Sequence, residues 1–123
     1  MKPAEQRDRL LVDQILHHTE ILSEIVRRGR SAMSTDPTNR YAAEHAIELL
    51  AEAAEKLSQT FKTANPKIPW EQLRPLRRTV AHPYDLGAEP INVAQLWGFA
   101  GKDAPRIARL LRKPKFPGYE GKR

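Results

Sequence analysis

Apolar residues in this chain recur at the spacing of an α-helix, and proline tends to stand where each recurrence stops. Leu11, Ile15, Leu22 and Ile25 share one face over residues 4–28, and Leu16 and Val26 widen it. Ala43, Ala46, Ile47, Leu50, Ala53, Ala54, Leu57 and Phe61 make the apolar face of a second stretch, whose alanines let another helix approach closely. Leu73, Leu76 and Val80 mark the buried side of a third, from Pro69-Trp70 to Ala81 or His82. Val93, Leu96 and Trp97 mark a fourth between Asn92 and Ala100. Ile107, Leu110 and Leu111 mark a short fifth between Ala104 and Arg112. No segment alternates apolar and polar residues as a half-buried strand would. The predicted class is all-α: an up-and-down four-helix-type bundle with a short fifth helix and an extended basic C-terminal tail.

The punctuation agrees. Arg27, Arg28 and Gly29 suit a helix C-terminus, where basic side chains meet the negative end of the dipole. Asp36-Pro37 suits a start, because Asp accepts free backbone amides and Pro fits the first helical position. Asn65-Pro66 ends the second stretch and Pro83 the third. Pro75 conflicts with a straight third helix unless that helix begins near Arg74. Residues 85–90 read as loop. Gly101 is the expected end of the fourth helix, and Asp103 the expected cap of the fifth. Pro114 and Pro117 mark the tail.

The length of 123 residues fits one helical domain, residues 1–112, followed by a tail, residues 113–123. The lack of cysteine excludes disulfides, thiolate zinc sites and a thiol nucleophile. No apolar run approaches the roughly 20 residues of a membrane span, and no signal-like stretch follows the charged start. A cytoplasmic protein with no membrane association is expected. Residues 1–100 carry 13 Lys+Arg and 13 Asp+Glu, whereas residues 101–123 carry 8 against 2, the source of the net charge of +6. A basic tail on a neutral body fits a polyanion partner, and equally a solvated extension that aids solubility.

The densest chemistry is Arg77-Arg78-Thr79-Val80-Ala81-His82-Pro83-Tyr84. It joins a permanent cation, a proton-transfer group and a phenol. On a straight helix Arg77 and His82 lie about 140° and about 7.5 Å apart. They converge only if the helix loosens before Pro83 or a second copy of the chain contributes. A guanidinium beside an imidazole suits attack on a phosphodiester. The histidine moves a proton from a ribose 2′-OH or to the leaving oxygen, and the arginine grips the phosphate. Such chemistry needs no metal or cofactor. The plainer reading leaves Arg77 a surface charge and His82 a helix-end cap. Adjacent His17 and His18 diverge by about 100° and make a poor metal pair. His45 can pair with Glu48 at i+3. Glu52 reads either as a surface partner of Lys56 at i+4 or as a group that orients Arg77 across a dimer cleft. Trp70, Trp97, Tyr41 and Phe61 read as packing residues.

The segment Trp70 to Tyr84 resembles the HEPN superfamily, specifically the HepT-like toxins of prokaryotic toxin–antitoxin pairs. The signature of an Arg, four residues, a His, one residue and a Tyr is met by Arg77, His82 and Tyr84. Ile68-Pro69-Trp70, the run Ala51 to Leu57, Leu96-Trp97 and Asp103-Ala104-Pro105 resemble further family segments in the same order, over about residues 8–112. Arg78 stands where family members often carry Asn. The resemblance implies a helical bundle that forms a homodimer, with two motif copies lining one cleft. It implies a metal-independent endoribonuclease with Arg77 and His82 as catalytic pair, acting on RNA (a tRNA or an mRNA), and Arg78 and Glu52 as possible support. It implies an MntA-like nucleotidyltransferase antitoxin as partner, which transfers AMP onto Tyr84. The alternative from another class is a non-enzymatic HEPN helper that presents substrate to a nucleotidyltransferase.

Overall fold

The computed structural model describes residues 3–81 and 92–116, apart from the side chains of residues 78–81. Every regular element among them is helical. Helix α1 spans Pro3–Arg27 and turns Leu11, Val12, Ile15, Leu22 and Ile25 inward. Gly29 follows at φ 97°, a left-handed conformation that glycine alone adopts without strain. A short helix not foreseen from the sequence comes next, α2, Arg30–Thr35. It offers the core a single anchor, Met33, which is too little to produce a readable period.

Helix α3, Pro37–Lys56, starts as Asp36-Pro37 indicates: the Asp36 side chain accepts the Thr38 amide at 2.9 Å. The expectation of one helix reaching Asn65 is corrected. The chain leaves helical geometry at Leu57 and Ser58 and resumes as α4, Gln59–Ala64. Asp8 of α1 holds the break. Its carboxylate accepts the Ser58 amide at 3.0 Å and the Ser58 hydroxyl at 2.6 Å, while that hydroxyl accepts the Phe61 amide. Asp8 is itself buried, so its charge is matched by donors rather than by water.

Helix α5 spans Trp70–Ala81 with Pro75 inside it. It therefore begins at Trp70 and not near Arg74. Pro75 brings no amide proton to the ladder, and the Trp70 and Gln72 amides are anchored on Ile68 and Pro69 carbonyls at the helix start. Helix α6, Val93–Gly98, opens with a capping box between Asn92 and Gln95. Gly101 does not end it. A π-helical segment, Phe99–Asp103, carries the chain into α7, Ala104–Leu111, and Asp103 makes no side-chain cap. The fifth helix exists, but it continues the fourth instead of following a stop.

The result is a four-helix-type bundle. Helix α3 packs on α1 along one side and on α5 along the other, and α7 closes against α1. Ile15, Leu22, Ile47, Leu50, Phe61, Leu96, Ile107 and Leu111 are fully buried, each stabilising by roughly 1.5–3 kcal/mol through area removed from water. Phe116 belongs to this core: it is buried, its ring lies 5.2 Å from that of Phe61, and the Arg9 guanidinium sits 4.0 Å over it. Asn65 secures the same stretch through two 3.0 Å bonds to the Lys115 backbone. Tyr41, expected to pack, is instead exposed, with Arg40 near its ring. The Pro83 stop, the loop at residues 85–90 and the tail from Pro117 lie outside the described residues.

Candidate active site

The site rests on the α3–α5 contact. Ala51 and Ala54 are buried on α3 and Leu73 on α5. Small side chains on α3 bring the two backbones close, and what flanks the alanines then meets what flanks Leu73. Glu52, Glu55 and Lys56 stand at i, i+3 and i+4, so they share one face of α3. Arg74 and Arg77 stand at i and i+3 on α5 and face them.

Arg77 Nη1 donates to Glu55 Oε2 at 3.1 Å, and Arg77 Nη2 lies 3.9 Å from Glu52 Oε2. Arg74 Nε approaches the other Glu55 oxygen at 3.8 Å. Lys56 Nζ donates to Glu52 at 3.0 Å, and Lys62 Nζ donates to the Glu55 carbonyl at 3.3 Å. The Lys56 hydrogen bond, then its charge, holds the Glu52 carboxyl below the usual carboxylate range, and Arg77 adds to the same direction. Glu55, which the sequence does not single out beside Glu52, is the closer partner of Arg77. A signal for it exists in the spacing: it is about one helical turn beyond Glu52. Both Arg77 contacts are made within one chain.

Arg77 keeps donors to spare. Its Nε is buried and has no acceptor among the described residues. A guanidinium presents five N–H groups in a fixed fork, and here one edge is tied to Glu55 while Nε is left unmatched. The arrangement fixes the plane of the cation, and because Nε is buried an incoming oxyanion is met only through the Nη groups.

Of the other residues singled out by sequence, Arg78 is placed in α5 without a described side chain. His82 and Tyr84 lie outside the described residues. The expected His45–Glu48 approach is present at 3.9 Å, and the rings of His17 and His18 meet edge to face at 5.4 Å. Burial, then the neighbouring His17 and His45, lower the His18 pKa. No group of three metal-ligating side chains occurs among the described residues. Trp70 packs against Phe61 and donates its indole N–H to the Asn65 carbonyl at 3.0 Å.

Beside Arg77, between α3–α4 and the start of α5, lies an open groove of about 790 Å³. Glu55 lines it and also touches Arg77, so the groove and the cation adjoin.

The family model described as Ribonuclease HepT-like matches residues 15–114, a span that includes positions 52, 55, 77, 82 and 84. The chain is 31% identical over 70 residues to a candidate RNase of Methanocaldococcus jannaschii, covering 57% of this chain and 61% of that protein. It therefore spans less than two thirds of that relative's length. It is 29% identical over 78 residues to a probable ribonuclease HepT of Thermococcus cleftensis, covering 63% of this chain and 67% of that one. A third relative, a candidate RNase of Caldanaerobacter subterraneus, is 24% identical over 103 residues, which is 83% of this chain and 88% of its own. No solved structure matches the chain.

Proposed function

The chain belongs to the ribonuclease HepT-like family, and we propose that it is an endoribonuclease and the toxin of a toxin–antitoxin pair. One observation carries the reading: Arg77 is held in place by Glu55 and Glu52 beside an open groove that Glu55 lines. A cation so fixed is suited to a phosphodiester. The names of the relatives, ribonuclease HepT and RNase, point to the same substrate.

In the proposed reaction His82 takes the proton of a ribose 2′-OH. The 2′-oxygen forms a bond to phosphorus as the bond to the 5′-oxygen breaks, and the proton held on the His82 imidazolium passes to that leaving oxygen. Arg77 stabilises the charge that builds on the phosphate oxygens. The step so written balances with the two side chains, and cleavage without a metal is what this reading expects. Single-stranded RNA or an exposed tRNA loop is the expected target, because in-line attack needs a flexible backbone. The protein acts as a cytoplasmic homodimer whose two motif copies share a cleft. A MntA-like nucleotidyltransferase silences it by transferring AMP from ATP to the Tyr84 phenol, with release of pyrophosphate. The added phosphate and bulk repel and exclude RNA.

Expression without the transferase is expected to arrest growth, and His82→Ala to relieve the arrest. Equal toxicity of the two forms refutes the role of His82. Cleavage is expected to persist in EDTA. Transferase and ATP are expected to add the mass of AMP to the wild type and not to Tyr84→Phe.

A further inference from the structure

The geometry points to the groove between α3–α4 and the start of α5 as a pocket for one unstacked nucleobase of the RNA, next to the phosphate that Arg77 holds. The inference rests on the ribonuclease reading and adds the part of the substrate that is recognised rather than cut. Charge is the first guide. Lys62 and Arg74 stand in the lining against Glu55 and Glu71, two cations and two carboxylates. A lining so balanced gives an ionic occupant little advantage and suits a neutral group, as a nucleobase is near neutrality. The floor is apolar: Ala51, Ala54, Ile68 and Leu73 are buried and line the groove.

Trp70 is the second guide. Its indole N–H donates to the Asn65 carbonyl at 3.0 Å, and its ring meets that of Phe61 edge to face at 6.2 Å. The one polar group of the side chain is thus committed within the fold. What Trp70 offers the groove is the carbon surface of a firmly held, partly buried aromatic ring. Splayed bases of single-stranded RNA stack on such rings and on guanidinium planes. Arg74 supplies the plane. It stands at i+4 from Trp70 and so borders the same strip of α5. Its side chain is 73% exposed and its Glu55 contact is 3.8 Å long, which leaves it loosely held. Gln72 also lines the groove, and its side-chain amide has no hydrogen-bond partner among the described residues. An amide carries both donors and an acceptor, as the edge of a base does. The volume of about 790 Å³ falls within the range of roughly 300–1,000 Å³ typical of small-ligand pockets, enough for a base with its ribose. Position agrees. Glu55 lines the groove and touches both Arg74 and Arg77. Arg77 lies about 4.5 Å of helical rise beyond Arg74, so base and phosphate would meet neighbouring turns of one helix, as adjoining parts of a nucleotide can.

The test compares two probes that cannot be cleaved: a short single-stranded 2′-O-methyl oligoribonucleotide, and an abasic 2′-O-methyl chain of the same length and charge. Binding is followed by fluorescence anisotropy, and stacking by the emission of Trp70 in Trp97→Phe, where it is the remaining tryptophan of the two in the chain. The oligonucleotide is expected to quench Trp70 saturably and to bind about tenfold more tightly than the abasic chain, as stacking of one base provides. Trp70→Ala should lose that discrimination, binding both probes like the abasic chain. Arg74→Gln, a change at an exposed position, should narrow the difference if the alanine form folds poorly. Equal binding of the two probes by wild type overturns the proposal, and so does binding of the oligonucleotide with Trp70 emission unchanged. A free nucleoside monophosphate that binds as tightly as the oligonucleotide also overturns it, since the site would then serve a free nucleotide. Base-dependent quenching in a protein that cleaves no RNA leaves the pocket standing and removes the ribonuclease reading instead.

Discussion

Asp8 and Ser58, fifty residues apart in the chain, share a carboxylate that accepts both the amide and the hydroxyl of the serine. This pair turns one long helix into two and sets the direction of α4, which forms part of the groove wall. Asp8→Ala leaves the Ser58 amide without that acceptor. Each unsatisfied buried polar group costs about 1–3 kcal/mol. A destabilisation of about 2 kcal/mol is expected in urea unfolding, with the slope of the transition unchanged. A variant as stable as wild type would show that the break needs no outside support.

Glu55 should matter more to Arg77 than Glu52 does, because its contact is 3.1 Å against 3.9 Å. Glu55→Ala is expected to lower RNA cleavage about tenfold, the equivalent of about 1.4 kcal/mol. Glu52→Ala should change it by less than about threefold. Thermal stability should barely move in either, since partly exposed ion pairs contribute little, about 0–1 kcal/mol. Glu55→Gln keeps an acceptor and should recover part of the lost rate. Equal effects of Glu52→Ala and Glu55→Ala would contradict the distances.

Among the described residues, Glu52 and His18 make stability fall with acid. Glu52 has a lowered pKa through Lys56 and Arg77. Its contribution is present above the unfolded value of 4.5 and is lost as pH falls below it toward the folded value. His18, lowered chiefly by burial, resists protonation in the fold. Its unfolded form begins to take up protons as pH drops through 6.5, which favours unfolding. The melting temperature should therefore decline in two stages on acidification, near neutrality and again below about pH 4.5. His18→Leu should flatten the first stage and Lys56→Met the second. An unaltered first stage in His18→Leu would assign it to another group.

Shortening the chain separates the tail's two roles. Cutting after Arg112 removes Phe116, uncovers Phe61 and breaks the Asn65 clasp. A loss of about 2–4 kcal/mol is expected, as for deletion of a large core side chain. Cutting after Phe116 retains these interactions and should leave the melting temperature within about 2 °C, since about 1 kcal/mol corresponds to several degrees in a domain of this size. RNA affinity that falls only with the longer truncation would reflect a damaged body and not the tail's charge.

Much of the molecule is legible in its sequence wherever the cause lies within a few residues. Asp36-Pro37 starts a helix through its own side chain. The spacing of Leu11, Ile15, Leu22 and Ile25 places them on the buried face. Arg77 stands out by its motif. The unreadable parts depend on distant partners. Leu57 and Ser58 follow a run of good helix formers, and the helix is broken there by Asp8 from another element. Gly101 reads as a stop, yet stays helical inside a segment joined on both sides to packed helices. Glu55 does not stand out in the sequence because Glu52 already has an evident partner in Lys56; only the approach of α5 distinguishes them.

The Ala104 amide reaches back to the Phe99 carbonyl, a span of five residues where an α-helix uses four. That turn therefore holds one residue more than the helix needs. Deleting a single residue within 99–103 should let the coil tighten and still deliver Ile107 and Leu111 to the core at the same angle. The same deletion inside α7 would swing everything downstream of it by about 100°. This loop of the coil is thus a place where the chain tolerates changes of length, in the middle of an element that elsewhere tolerates none.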